Sequence, residues 1–150
     1  MGVIAWSPLA GGWLTGRFRQ DTGVDMTTGR ARRLPGRFDP ALPGNQAKLA
    51  AVEELIKIAA DAGCSLTHMA LAFVVGNPAV TAAIIGPRTM DQLTDLLAGA
   101  SVMVEDDVLD RIDQIVPPGV TLNPADAGWQ PPVLADPAAR RRPQAARAAS

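Results

Sequence analysis

The sequence predicts an α/β fold built from parallel β/α units, and three observations support this prediction. Residues 2–6 and 80–85 are short, mostly apolar runs with β-branched side chains, as expected of strands covered on both faces. Each run is followed by a turn that contains glycine and proline. Elsewhere apolar residues recur at helical spacing, and strands that alternate with helices indicate a parallel sheet.

Length, charge and cysteine content exclude several classes of protein. A chain of 150 residues forms one domain at most, and a formal net charge of -1 gives no overall reason to bind nucleic acid or a membrane. The single cysteine, Cys64, excludes an intrachain disulfide and favours a reducing compartment. No run approaches about 18 consecutive apolar residues, and no signal peptide is recognisable. The sequence therefore predicts a soluble, cytoplasmic protein.

The segment after the first strand is a loop of small residues. Residues 7–16 contain three glycines and one proline, so the backbone there is open to close approach. The Ser7 hydroxyl and the backbone N–H groups of Gly11 and Gly12 suit an anion, although a tight connection explains the same composition. The loop matches neither the P-loop motif nor the Rossmann fingerprint.

Residues 17–45 have no sustained periodicity and are rich in arginine. Two interpretations stay open, a basic lid over an anionic ligand and a solvated, mobile insertion, and the second is slightly favoured. The arginines of this segment are Arg17, Arg19, Arg30, Arg32, Arg33 and Arg37.

Two helices follow, over residues 46–62 and about 68–75. The first has one apolar stripe and ends at Gly63, and Ser65 or Thr67 can cap the second. His68 is the only histidine and has no spaced partner that would suggest a metal or catalytic site. A further helix is predicted over residues 105–116, where acidic residues suit the positive N-terminal end.

The turn after the second strand has the features of an anion site. Gly86 and Pro87 end the strand, and Thr89 and Gln92 have the capping-box spacing of a helix N-terminus. Unpaired N–H groups at such a terminus attract anions, and Arg88 adds a full positive charge. The hypothesis is a phosphate site, and the alternative is an ordinary strand-to-helix connection.

Beyond residue 118 the composition changes to proline, alanine and aspartate. Trp129 is the one aromatic side chain of residues 119–138. We expect this segment to lie in an extended form across the domain surface. Residues 139–150 form a tail of arginine, alanine and proline that we expect to be disordered. A two-stranded parallel sheet does not make an independent domain, so residues 1–118 are expected to be a piece of a larger α/β structure.

Two motifs resemble segments of the aldo-keto reductase family. Residues 5–17 (Ala-Trp-Ser-Pro-Leu-Ala-Gly-Gly-Trp-Leu-Thr-Gly-Arg) are similar to that family's seventh-strand segment. Residues 84–96 (Ile-Ile-Gly-Pro-Arg-Thr-Met-Asp-Gln-Leu-Thr-Asp-Leu) are similar to its eighth-strand cofactor segment. The resemblance covers about residues 2–118. The separation of the two motifs makes it specific. Within the family, the sequence is most similar to a bacterial branch close to potassium-channel β-subunits.

This resemblance implies the C-terminal part of a (β/α)8 TIM barrel, with strands 7 and 8 and their helices, and therefore an incomplete barrel. The family transfers hydride from NADPH to aldehydes or ketones, so the implied cofactor is NADP. Trp6 stands where an aromatic ring stacks on the nicotinamide, and Arg17 where a side chain reaches the pyrophosphate. The other implied cofactor-binding residues are Ser7, Pro8, Leu9, Ala10, Gly11 and Gly12 at the pyrophosphate, Gly86, Pro87, Arg88, Thr89 and Met90 at the 2′-phosphate, and Gln92 and Asp95 at the adenine.

The chain departs from the family in one important respect. The family's catalytic Asp, Tyr, Lys and His precede this segment, and the chain contains no tyrosine. Leu96 also replaces an asparagine that many members place at the adenine. The resemblance therefore implies a fragment that is inactive because it has no catalytic residue of its own. Without the N-terminal half of the barrel, which it would need as a partner, the fragment would expose strand flanks and helix faces. The alternative is a non-catalytic, NADP-binding or self-associating partial barrel.

Overall fold

The computed structural model describes residues 2–27 and 29–127 and contains two strands with helices on one side of them. Residue Trp129 and the tail at 139–150 lie outside the described residues. The strands and helices, in chain order, are β1 (Val3–Trp6), α1 (Gly29–Arg33), α2 (Pro43–Asp61), α3 (Leu66–Val75), β2 (Val80–Ile84), α4 (Met90–Gly99) and α5 (Asp106–Ile115). Three short 3-10 segments are Ala10–Thr15, Pro35–Arg37 and Pro124–Asp126.

β1 and β2 form the predicted parallel pair. Ile4 lies opposite Ala82, and Trp6 lies opposite Ile84, so these four side chains share one face of the sheet. This face is open, because Ile4 is 63% exposed, Ile84 58% and Trp6 77%. The apolar pattern predicted strands covered on both faces, but α3 packs against β2 and no described residue covers the Ile4–Trp6 side. Exposure of this face agrees with the expectation for an incomplete barrel.

The hydrophobic core lies beside the sheet, between α2 and the arginine-rich segment. Its centre is an aromatic cluster in which the Trp13 ring centroid is 5.1 Å from that of Phe18 and 5.7 Å from that of Phe38. All three side chains are at most 3% exposed, and α2 contributes buried residues such as Val52 and Ala59. The strand-to-helix loop after β1 is therefore anchored through Trp13.

The sequence predicts a solvated, mobile insertion at residues 17–45, and the solvated part of this prediction is wrong. The segment contains α1 and a 3-10 turn, and α2 begins at Pro43 rather than at the predicted Gln46 because proline is favoured in the first helical turn. Phe18, Ala31 and Phe38 are buried in the core. Each of these apolar residues contacts the core from a separate turn, so the segment has no periodic signal.

The helix caps match the predictions. The Ser65 hydroxyl oxygen accepts a hydrogen bond from the His68 N–H at 3.1 Å and so caps the N-terminus of α3.

No single helix of the described residues is long and apolar enough to cross a membrane. Taken together, α2 and α3 have the length and composition of a membrane span, but they are bent by 87° relative to each other.

A bidentate ion pair ties the start of the arginine-rich segment to α2. Arg19 Nε and Nη2 donate to the two carboxylate oxygens of Glu53 at 2.8 and 2.7 Å, and the Gln20 N–H donates to the same carboxylate at 3.0 Å. These hydrogen bonds lower the pKa of Glu53 from 4.5 to about 2. Because the folded-state pKa is depressed, this stabilisation is present above pH 4.5 and is lost as the pH falls towards 2.

Candidate functional site

The sheet brings the two sequence motifs together at one edge. Trp6 and Ile84 are paired at the C-terminal ends of parallel strands, so the chain leaves both strands at the same edge. β1 continues into Ser7, and β2 continues through Ile85 into the turn that begins at Gly86. Two loops that are far apart in sequence therefore lie side by side.

The backbone of the first loop is unusual. Two non-glycine residues have left-handed backbone angles, Ser7 with φ 56 and Ala10 with φ 49. Gly11 and Gly12 follow with φ 73 and 110, a region in which any side chain is strained. Sparsely populated conformations of this kind concentrate at ligand sites, where the surrounding packing maintains them.

Two arginines of the basic segment approach this glycine pair. A Cβ atom built on Gly11 would lie 3.5 Å from Arg30 Nη1, and one built on Gly12 would lie 3.7 Å from Arg17 Nε. The Arg17 guanidinium carbon is held 4.3 Å from the Phe18 ring centroid, a cation–π contact. The sequence motif includes Arg17 but not Arg30, because only the fold shows which of the arginines reaches the glycines.

The second loop ends in a capped helix N-terminus. Thr89 Oγ1 accepts the Gln92 N–H at 3.2 Å, and Gln92 Oε1 accepts the Arg88 N–H at 2.8 Å. Side chains thus occupy two N–H groups that an anion could otherwise use. The N–H groups of Met90 and Asp91 have no intrahelical acceptor, and Arg88 is exposed beside them.

Asp95 and Leu96 lie one turn further along α4. The first contacts another helix, and the second is buried. Asp95 Oδ1 lies 2.9 Å from His68 Nε2, so this carboxylate joins α4 to α3. The spacing of residues in the sequence could not indicate Asp95 as the partner of His68, because the two residues lie on different helices. Leu96 is buried, so it does not face solvent at the edge where an adenine contact was considered.

Positively charged side chains gather at this edge. One guanidinium group lies near each of the two glycines, and a third arginine stands at a helix N-terminus. The exposed Trp6 indole offers a flat surface to a planar ring. Among the described residues, no group of three His, Cys, Asp or Glu side chains is placed to hold a metal ion. A cavity of about 230 Å³ lined by Asp61, Cys64 and Arg111 shares no residue with these loops.

Comparison with known proteins defines the class. The profile of the aldo/keto reductase family matches residues 1–117, and the chain belongs to that family. The chain is 34% identical over 117 residues to the uncharacterized oxidoreductase YrpG of Bacillus subtilis, and 32% identical over 113 residues to protein Tas of Escherichia coli. These alignments cover 78% and 75% of this chain, but only 32% and 31% of the relatives.

Two further similarities agree with this assignment. A putative voltage-gated potassium channel subunit beta of Schizosaccharomyces pombe is 28% identical over 119 residues, which is 77% of this chain and 34% of that protein. The glycerol dehydrogenase structure from Gluconobacter oxydans aligns with a TM-score of 0.58 at 25% identity, covering 79% of this chain and 36% of that one. The chain therefore spans about a third of the length of these relatives.

The comparisons confirm the resemblance found in the sequence. The chain is related to oxidoreductases that use a nicotinamide cofactor and fold as TIM barrels, and its two parallel strands are part of such a fold.

Proposed function

We propose that this chain is the C-terminal part of an NADPH-dependent aldehyde or ketone reductase. In this proposal β1 and β2 are barrel strands 7 and 8, and the loops after them hold the pyrophosphate and the 2′-phosphate of NADPH. The observation that supports the proposal most strongly is the pairing of Trp6 with Ile84, which brings both loops to one edge. Barrel enzymes keep their sites at the C-terminal ends of the strands.

The first loop suits the nicotinamide and pyrophosphate end. Trp6 would stack on the nicotinamide, and the left-handed backbone at Gly11 and Gly12 would approach the pyrophosphate. Arg30, near Gly11, and Arg17, near Gly12, would neutralise its charge. The remaining residues proposed to wrap the pyrophosphate are Ser7, Pro8, Leu9 and Ala10.

The second loop suits the phosphate that distinguishes NADP from NAD. A helix N-terminus with an exposed arginine is a favourable place for a dianion, and Arg88 stands at the start of α4. Gln92 and Asp95 lie along the same helix towards the proposed adenine end. The other residues of this part are Gly86, Pro87, Thr89 and Met90.

The chain is proposed to supply no catalytic acid. It contains no tyrosine, and the family's tetrad precedes the segment that the chain resembles. The open face formed by Ile4, Trp6 and Ile84 would become part of the barrel interior when an N-terminal portion covers it. Reduction of a carbonyl would then need that portion as well as this chain.

Complementation tests this proposal. The 150-residue chain is co-expressed with the part of YrpG that precedes the matched segment, and NADPH oxidation by a simple aldehyde is followed. We expect turnover only when both polypeptides are present, with each polypeptide alone as the control. Turnover by this chain alone would contradict the absence of a catalytic acid. A folded complex without turnover would favour the alternative of a non-catalytic NADP-binding module.

A further inference from the structure

Residues 122–127, here called the C-terminal strap, pack onto the arginine-rich segment and the start of α2. The strap contains the short 3-10 turn Pro124–Asp126 and follows α5. It lies beyond residues 1–117, the part of the chain that the family profile matches. Its contacts are therefore a feature of this chain that the family assignment does not explain.

Asp126 makes the polar centre of these contacts. Its Oδ1 accepts from Arg37 Nε at 2.8 Å, and its Oδ2 accepts from Lys48 Nζ at 2.7 Å. The Asp126 backbone carbonyl accepts a second bond from Arg37, at 2.9 Å from Nη2. Lys48 Nζ also donates to the Arg37 carbonyl at 2.7 Å. One carboxylate thus holds a cation of the basic segment and a cation of α2.

Asn123 fixes the other end of the strap. Its Nδ2 donates to Asn45 Oδ1 at 2.6 Å and to the Gly36 carbonyl at 3.0 Å. Both asparagines are buried, at 7% and 0% exposure. The strap backbone fits closely, since a Cβ atom on Gly44 would lie 2.9 Å from the Leu122 carbonyl oxygen. Close packing and satisfied buried polar groups together define a single position for the strap.

The network reaches the proposed cofactor loop through Lys48. Its Nζ lies 4.5 Å from the ring centroid of Trp13, the residue that follows Gly12. Trp13 in turn stacks on Phe38, with ring planes 10° apart, and Phe38 Cζ would be 3.3 Å from a Cβ atom on Gly11. Lys48 therefore connects the Asp126 carboxylate to the Trp13 and Phe38 rings, and the Phe38 ring lies beside Gly11.

Lys48 depends on that carboxylate. Only 8% of the residue is exposed, and burial lowers the pKa of its ammonium group while the hydrogen bond to Asp126 opposes this shift. Loss of one partner of a buried ion pair leaves an uncompensated charge, which is more costly than loss of an exposed pair. Removal of Asp126 would consequently disturb Lys48, Arg37 and the rings between them.

We propose that the C-terminal strap is a positioning element for the cofactor site. Asp126 acts through Lys48 and Arg37 to fix the arginine-rich segment and to hold the backbone of Gly11 and Gly12 in the conformation described above. The part of this proposal that concerns the cofactor rests on the proposed function, whereas the fixing of the arginine-rich segment does not.

Limited proteolysis of the full chain with trypsin tests the fixing of the segment. Cleavage after Arg30, Arg32, Arg33 and Arg37 is quantified by mass spectrometry. In Asp126→Ala and in the isosteric Asp126→Asn we expect initial cleavage there to be about tenfold faster, as local opening becomes easier. Asp126→Glu should restore part of the protection.

The matched control is Asp61→Ala, which removes an exposed ion pair with Arg111 on α5. This variant should leave cleavage of the arginine-rich segment unchanged. Unchanged cleavage in Asp126→Ala and Asp126→Asn would overturn the proposal. Cleavage after Lys57, within α2, that is accelerated to the same extent would also overturn the proposal, because the whole chain would then be opening rather than one segment.

NADPH titration of the same variants, followed by cofactor fluorescence, tests the link to the site. We expect Asp126→Asn to weaken NADPH binding about tenfold with an unchanged circular dichroism spectrum, which corresponds to about 1.4 kcal/mol. An unchanged affinity for NADPH in a variant whose arginine-rich segment is cleaved faster would overturn the link between the strap and the cofactor site. Absence of NADPH binding by the unsubstituted chain would count against the proposed function instead, and the proteolysis would still decide whether the strap fixes the segment.

Discussion

Trp13→Ala is expected to unfold much of this chain. The indole is 2% exposed and contacts the rings of Phe18 and Phe38 at centroid distances of 5.1 and 5.7 Å. Truncating a buried tryptophan costs about 3–5 kcal/mol. Small domains are stable by only about 5–15 kcal/mol, and this one leaves an apolar sheet face exposed. Urea denaturation followed by far-ultraviolet circular dichroism measures the change in the free energy of unfolding.

Trp6→Ala is the matched control for this prediction. It removes the same side chain from a position that is 77% exposed, so we expect a change within about 0.5 kcal/mol. A loss of stability in Trp6→Ala as large as in Trp13→Ala would contradict the placement of Trp13 in the core and of Trp6 on the surface. Full stability of Trp13→Ala would lead to the same conclusion.

Arg88→Ala is expected to abolish most of the preference for NADPH over NADH. In the proposed site Arg88 faces the 2′-phosphate, which NADH lacks. A hydrogen bond to a charged group contributes about 1.5–3 kcal/mol, so NADPH affinity should fall about 10- to 100-fold. NADH affinity should change less than about twofold, since the lost interaction involves no other part of the cofactor. Parallel fluorescence titrations of the two cofactors give both ratios.

Arg111→Ala is the control for the charge itself. Arg111 pairs with Asp61 on the surface between α2 and α5, so its removal changes the net charge equally without touching the proposed site. It should leave the NADPH-to-NADH ratio unchanged. An equal loss for both cofactors in Arg88→Ala, or no loss for either, would contradict the 2′-phosphate role.

Local signals in the sequence carried the most reliable predictions. The Ser65 and Thr89 caps each involve an N–H only three residues along the chain, so the spacing identified Thr89 and narrowed the other cap to Ser65 or Thr67. The parallel pairing of residues 3–6 with 80–84 also followed from the pattern, because two apolar runs separated by helices have few other arrangements.

Contacts between distant residues could not be predicted in the same way. Asp126 forms ion pairs with Lys48 and Arg37, which are 78 and 89 residues away in the sequence. None of these side chains lies in a motif. Composition likewise cannot tell which of the arginines approaches Gly11. The apolar pattern of the strands indicated two covered faces, but it holds no information about whether the covering residues belong to the same chain.

Amide NMR spectra of the chain, recorded with NADPH and then with NADH, test the central claim most directly. The account predicts that NADPH shifts the signals of two segments, residues 7–12 and 86–92, while signals around the Asp61–Arg111 pair stay in place. NADH should shift residues 7–12 and leave the amides of Arg88, Thr89 and Met90 nearly unchanged, because it lacks the 2′-phosphate. Identical shifts with both cofactors, or shifts confined to regions away from these two loops, would contradict the assignment of this edge as the cofactor-phosphate site.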